Sequence, residues 1–175
     1  GRIPTDIIDS VTVLKGPNAL VAGMAPAGGV GGVVMAQTKR AKQDLTRVSA
    51  SYEDDGYYKS GFDVARRLGD NNEFGVRVSS SYGQGEHIVE GMDDTNATGV
   101  VALDYTTDKL KLNFDAYAVR DKRDNGSPVM VSMGTIKQVI AAPSGDSNFF
   151  PNIHGEQSSQ YLGASGEYKF SPDLK

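Results

Sequence analysis

The chain has 175 residues, the length of one ordinary domain, with a formal net charge of −4 and no cysteine. The missing thiols exclude a disulfide framework and any thiolate metal site; the acidic balance, with no basic stripe to neutralise phosphates, argues against a nucleic-acid partner. Hydrophobic residues make up only 38% of the chain, yet they recur in patterned runs, so a folded chain is expected rather than a disordered one.

In chain order, Ile7-Ile8 and Val11-Thr12-Val13-Leu14 read as a buried strand stopped by Lys15-Gly16-Pro17. Asn18 then caps a short apolar helical turn, Ala19-Leu20-Val21-Ala22, which Gly23 ends. The glycine-rich Ala27-Gly28-Gly29-Val30-Gly31-Gly32 leads to a second strand, Val33-Val34-Met35-Ala36, and Lys39-Arg40-Ala41-Lys42 closes the block with charge. A small α+β unit with glycines at its tight turns is expected. The uncharged run from Ala19 to Ala36 has about the length of a marginal membrane helix. Gly23, Gly28, Gly29, Gly31, Gly32 and Pro26 make it a poor helix interior. A dinucleotide loop fails too, because Val34 stands where the third glycine belongs and no phosphate-loop lysine follows.

From Leu45 the period becomes two. Val48, Ala50 and Tyr52 oppose Arg47, Ser49 and Ser51; Tyr58, Phe62 and Val64 oppose Lys59, Asp63 and Arg67; Phe74, Val76, Val78 and Tyr82 oppose Arg77, Ser79 and Ser81. Val101, Leu103 and Tyr105 form the next strand, Leu110 to Ala118 the fifth, and Leu162, Ala164, Tyr168 and Phe170 the last. Six strands with one apolar and one polar face are expected, in a sandwich or a membrane barrel. Short turns fall at Asp70-Asn71 and Thr107-Asp108, and long connections run from Gly83 to about Thr95 and from Asp121 to about Ser158. Only Asp54-Asp55-Gly56 is short on the long-loop side. Short turns at one end and long loops at the other favour the barrel.

The segment Ile8-Asp9-Ser10-Val11-Thr12-Val13-Leu14-Lys15-Gly16-Pro17-Asn18-Ala19-Leu20 resembles the C-terminal half of the plug in TonB-dependent siderophore receptors. In that family a strand ending in Leu-Lys-Gly-Pro enters a helical turn, a Pro-x-Gly-Gly-Val stretch follows, and a strand ending in Thr-Lys-Arg leads to the barrel. Leu14 to Pro17, Pro26 to Val30 and Thr38-Lys39-Arg40 match in that order. Thr12 stands where the family often has an acid, Ala22 where it often has an aromatic, and Gly31 and Gly32 where bulkier residues are usual.

The resemblance implies a mainly β fold, with residues 1–42 the C-terminal part of a plug and residues 43–175 the first strands of an incomplete transmembrane β-barrel. An internal piece of a longer receptor is expected: the sequence starts at Gly1 with no signal peptide or initiator methionine, and Pro172-Asp173-Leu174-Lys175 reads as a tight turn about to launch another strand. It further implies TonB-driven uptake of a ferric siderophore across the outer membrane of a Gram-negative bacterium. The partners implied are the chelate, outer-membrane lipid, and the TonB complex through a plug segment that precedes Gly1; no catalytic cofactor is implied.

The resemblance places Ala22, Gly23 and Met24 at the plug apex. Tyr117 and Arg120, at the end of the fifth strand, and Phe149, Phe150 and His154, in the longest loop, are the remaining ligand-binding candidates. Phe149 and Phe150 equally suit a loop that packs on itself. Glu86, Glu90, Asp93 and Asp94 around His87 lack the ordered spacing of a calcium loop and read as a solvated loop. Neither histidine sits in a nucleophile motif, which disfavours an outer-membrane hydrolase. Cobalamin, haem or an oligosaccharide remain open as ligands, as does a soluble β-rich binding module.

Overall fold

The computed structural model describes residues 7–16, 31–53, 55–126, 144–148 and 150–170. The helical turn expected over Ala19 to Ala22 lies outside them, as do Gly23, Met24 and Phe149. The described chain is β throughout. Strands β1 (Ile8–Lys15) and β2 (Gly32–Thr38) pair antiparallel, with Val13 opposite Val34 and Lys15 opposite Gly32. They are the two strands foreseen on either side of the glycine-rich run.

Six further strands form an antiparallel meander in chain order: β3 (Leu45–Tyr52), β4 (Tyr58–Leu68), β5 (Phe74–Glu86), β6 (Asp93–Thr106), β7 (Leu110–Asp124) and β8 (Gly155–Tyr168). Alternation fixes what each strand shows to each side. One row across the sheet reads Val48, Phe62, Ser80, Gly99, Ala118, Gln160; the adjacent row, on the opposite face, reads Arg47, Asp63, Ser79, Val100, Tyr117, Tyr161. The first face carries Val48, 80% exposed, and Leu162, 73% exposed, with no protein over them among the described residues. The second is polar, and the β1–β2 unit lies against it through residues 38–42. Ile7, Ala41, Ala65 and Ala102 are buried at that contact. Ala65 and Ala102 flank Arg77 in register, and their small side chains leave room for guanidinium groups to lie along the sheet.

The structure corrects the loop lengths. The connection expected from Gly83 to about Thr95 is only His87 to Met92, because β5 and β6 stay paired as far as Glu86 and Asp93. Gly83-Gln84-Gly85-Glu86 has no apolar residue, so the alternation ends while the backbone ladder, which needs no side chain, continues. The longest connection shortens at both ends, to Asn125 through His154.

That loop is stitched to its neighbour at the base. Asn125 adopts φ 57°, donates Nδ2 to the Gly91 carbonyl at 2.7 Å and accepts from the Asn152 amide at 2.9 Å. Asn148 Nδ2 donates to the carbonyls of Asn125 at 2.7 Å and Glu90 at 3.1 Å. Left-handed backbone at a non-glycine residue persists only where such bonds hold it. Asn125→Ala is therefore expected to cost about 2 kcal/mol of local stability, and Asn125→Gly, which relieves the backbone, about half that. Hydrogen exchange over residues 144–154 checks this; equal protection in all three proteins would refute the stitch.

Candidate functional site

The polar face derives its structure from arginines that reach past their register neighbours to aspartates: Arg77 diagonally to Asp63, Arg67 across Gly75 to Asp104, and Arg40 from outside the sheet to Asp115. Arg40, just after β2, reaches across to the wall. Its Nη1 donates to the Leu103 carbonyl at 3.0 Å and the Phe114 carbonyl at 3.2 Å, and its Nη2 pairs with Asp115. Thr38 Oγ1 donates to the other oxygen of Asp115 at 3.0 Å. From the wall, Arg77 donates to the Arg40 carbonyl at 3.0 Å while its Nε holds Asp63 at 2.9 Å. Arg67 donates to the Ala41 carbonyl at 3.1 Å and pairs with Asp104. Three arginines thus bind the short segment from Thr38 to Ala41, by its side chains or its backbone carbonyls, to β4 through β7. Charge-assisted bonds of this kind are the strong ones. Planar guanidinium forks make them geometrically specific.

The Arg67–Asp104 pair depends on Gly75. A Cβ at that position would collide with both the Arg67 Nη1 and the Asp104 carboxylate. Asp104 Oδ1 is buried with no hydrogen-bond partner among the described residues, so Arg67 carries most of the compensation for burying that charge. Beside the pair, a cavity of about 870 Å³ separates β1, β2 and the 38–42 segment from the wall of β6, β7 and β8.

Asp9 on β1 accepts a hydrogen bond from Lys42 Nζ at 2.8 Å. That bond, opposed by burial and aided by the charges of Lys42, Arg77 and Lys39, holds the Asp9 carboxyl below the usual carboxylate range. A depressed folded-state value stabilises the fold above the ordinary carboxylate pKa, and the contribution is lost as pH falls through the lowered value.

At the loop end, His87 stacks on Tyr57 with ring centroids 4.0 Å apart, and its Nδ1 lies 3.1 Å from Glu53. Asp94 accepts from Arg123 Nε at 2.7 Å. His154 lies 3.0 Å from Asp124, at the foot of its loop.

Two of the expected ligand residues prove to be differently placed. Tyr117 lies halfway along β7 rather than at its end, facing the cavity and stacked on Tyr161 at 5.2 Å. Arg120, three residues on, falls on the opposite, apolar face, where its Nε pairs with Glu156 at 2.9 Å. An odd spacing on a strand always separates two side chains in this way, so the structure does not bring Tyr117 and Arg120 together. Phe150 is 42% exposed in the 144–154 region with His154. Ala22, Gly23, Met24 and Phe149 lie outside the described residues. Tyr161 was missed because an aromatic beside Leu162 reads as part of the apolar face. The Arg67–Asp104 and Arg40–Asp115 pairs escape a sequence reading because their members stand 37 and 75 residues apart.

Two outcomes are expected here. Arg40→Ala should lower the local stability of residues 36–42 by about 2–3 kcal/mol, because it leaves a partly buried carboxylate unpaired. Arg40→Lys should recover only part of this, since an ammonium cannot reproduce the fork; hydrogen exchange of that segment is the measurement. Lys42→Met should return Asp9 to the ordinary carboxylate range, near pH 4, seen as an upward shift of its titration by NMR. An unshifted Asp9 would show that the contact does not form.

No family model matches the chain. It is 35% identical over 115 residues to the ferrichrome receptor FcuA of Yersinia enterocolitica, a stretch that covers 65% of this chain and 15% of that protein. BauA, the ferric preacinetobactin receptor of Acinetobacter baumannii, matches in three dimensions with a TM-score of 0.85 and 33% identity, over 98% of this chain and 26% of BauA. Pseudomonas aeruginosa FpvA, a pyoverdine-bound structure, matches with a TM-score of 0.72 at 19% identity, over 95% of this chain and 22% of FpvA, which shows the fold alone. The chain spans about a quarter or less of the length of these relatives. In sequence and in fold, the chain corresponds to a segment of the TonB-dependent siderophore receptors.

Proposed function

We propose that the chain serves in the uptake of a ferric siderophore across the outer membrane of a Gram-negative bacterium, driven through TonB and without chemistry on the ligand. The observation that supports this best is the match to BauA, a ferric preacinetobactin receptor, at 33% identity across nearly the whole chain. The two-faced sheet agrees physically: an apolar outer surface suits lipid, and a polar inner one suits a hydrated lumen with a plug inside it. In this reading residues 1–42 belong to the plug and 43–175 to the barrel. The apolar face, with Arg120 at its loop end, meets the lipid. The loops around His87 and His154 open to the outside. A chelate would bind between the plug apex, at Ala22, Gly23 and Met24, and outer-loop residues such as Phe149, Phe150 and His154.

The test uses the intact receptor in cells lacking other ferric-chelate receptors, offered radio-iron on hydroxamate, catecholate and mixed siderophores. At least one class should be bound and taken up, and a protonophore should stop uptake while leaving surface binding intact. Uptake of haem or cobalamin with no binding of any ferric chelate would overturn the ligand assignment.

A further inference from the structure

Asn125 and Gly126 form the chain's one Asn-Gly pair, and they stand at the stitched base of the longest loop. Each residue is demanded by its surroundings. Asn125, at φ 57°, commits both ends of its side-chain amide: Nδ2 donates to the Gly91 carbonyl at 2.7 Å, and Oδ1 accepts from the Asn152 amide at 2.9 Å. Gly126 is buried, and a Cβ there would collide with the side chain of Met92, which is itself only 6% exposed. The Gly126 amide donates to the Ile153 carbonyl at 3.0 Å. The same pair is chemically labile. A side-chain amide carbon stands next to a backbone nitrogen that no Cβ shields, because the following residue is glycine.

We infer that Asn125-Gly126 is a self-modification site gated by its own loop. While the loop is stitched, the Gly126 N–H is bound to Ile153 and the Asn125 amide is held between Gly91 and Asn152, so neither reacting group is free. When the loop opens, the Gly126 nitrogen attacks Asn125 Cγ. A Cγ–N bond forms, the proton of the Gly126 N–H passes to the side-chain nitrogen, and ammonia leaves behind a cyclic imide. Water then opens the ring, at Cγ to give aspartate or at the main-chain carbonyl to give isoaspartate; no oxidant or reductant is needed. The new carboxylate is an acceptor only. It faces the Gly91 carbonyl with no donor between them, where a 2.7 Å bond stood before. Reclosure is opposed, and a reversible opening of the loop becomes a permanent one. The identity of the receptor's ligand does not enter this argument.

The test follows residue 125 in the intact receptor, held in detergent micelles in warm, mildly alkaline buffer. Peptide mass spectrometry scores aspartate and isoaspartate at that position, and hydrogen exchange gives the fraction of time for which the Gly126 amide is open. The receptor unfolded in denaturant sets the ungated rate. Gating predicts conversion about tenfold or more slower in the folded receptor, and equal to the ungated rate multiplied by the open fraction. Asn148→Ala removes the donor to the Asn125 and Glu90 carbonyls and leaves the reacting pair untouched; conversion should speed up several-fold. Asn125→Asp, one of the two products, should lose protection over residues 144–154 while the strands keep theirs. Equal rates in folded and unfolded receptor overturn the gate. So does a folded receptor that stays unconverted although its measured opening requires conversion. Unchanged protection in Asn125→Asp overturns the one-way consequence. If Asn148→Ala fails to fold, the comparison of rate with opening in the unaltered receptor decides alone.

Discussion

Everything in this structure hangs on the placement of charge on one face of a sheet. A barrel wall that faces water can carry arginine and aspartate, but it must pair them, because a partly buried charge without a partner costs several kcal/mol. Here the pairing is used to hold another part of the chain. Arg77 and Arg67 each divide their donors between a wall carboxylate and a carbonyl of the 38–42 segment, and Arg40, within that segment, divides its own between Asp115 and two wall carbonyls. The alanines at 41, 65 and 102 are buried beside these contacts, and two of them flank Arg77 in register. The local backbone, the packing and the position of the cavity all follow from this arrangement.

The strands themselves were legible, for a simple reason. A period of two is written in each strand alone, so Tyr58-Phe62-Val64 against Asp63-Arg67 announces both element and faces without knowledge of any neighbour. All six alternating segments fold as strands of one sheet. Strand ends were less legible. Gly83 to Glu86 lack apolar residues and so carry no alternation, yet they continue the ladder, since ladder hydrogen bonds are made by backbone.

What the sequence concealed was register. Nothing near Asp104 says that its partner is Arg67, nor that Asp115 meets Arg40, because the first pair forms only once β4, β5 and β6 are aligned and the second only once residue 40 lies against β7. Tyr161 belongs to the same class. On its own strand it is one more aromatic before a leucine; only the alignment with Tyr117 turns it into half of a stacked pair. Arg120 shows the converse. Proximity in sequence suggested that it acts with Tyr117, and the strand's own periodicity sends it to the other side of the wall.

The Arg40 junction also has a mechanical meaning. Its bonds to Leu103, Phe114 and Asp115 attach the segment to two neighbouring strands of a sheet, while Arg77 and Arg67 grip the same segment's carbonyls from two others. A tension arriving along β1 and β2 would be divided among these contacts and could not peel them one at a time. The β1–β2 ladder itself, a two-stranded ribbon with most of its side chains exposed, is the weaker link. Under load, then, the ribbon should yield first and the junction should stay as the fixed point from which it can re-form.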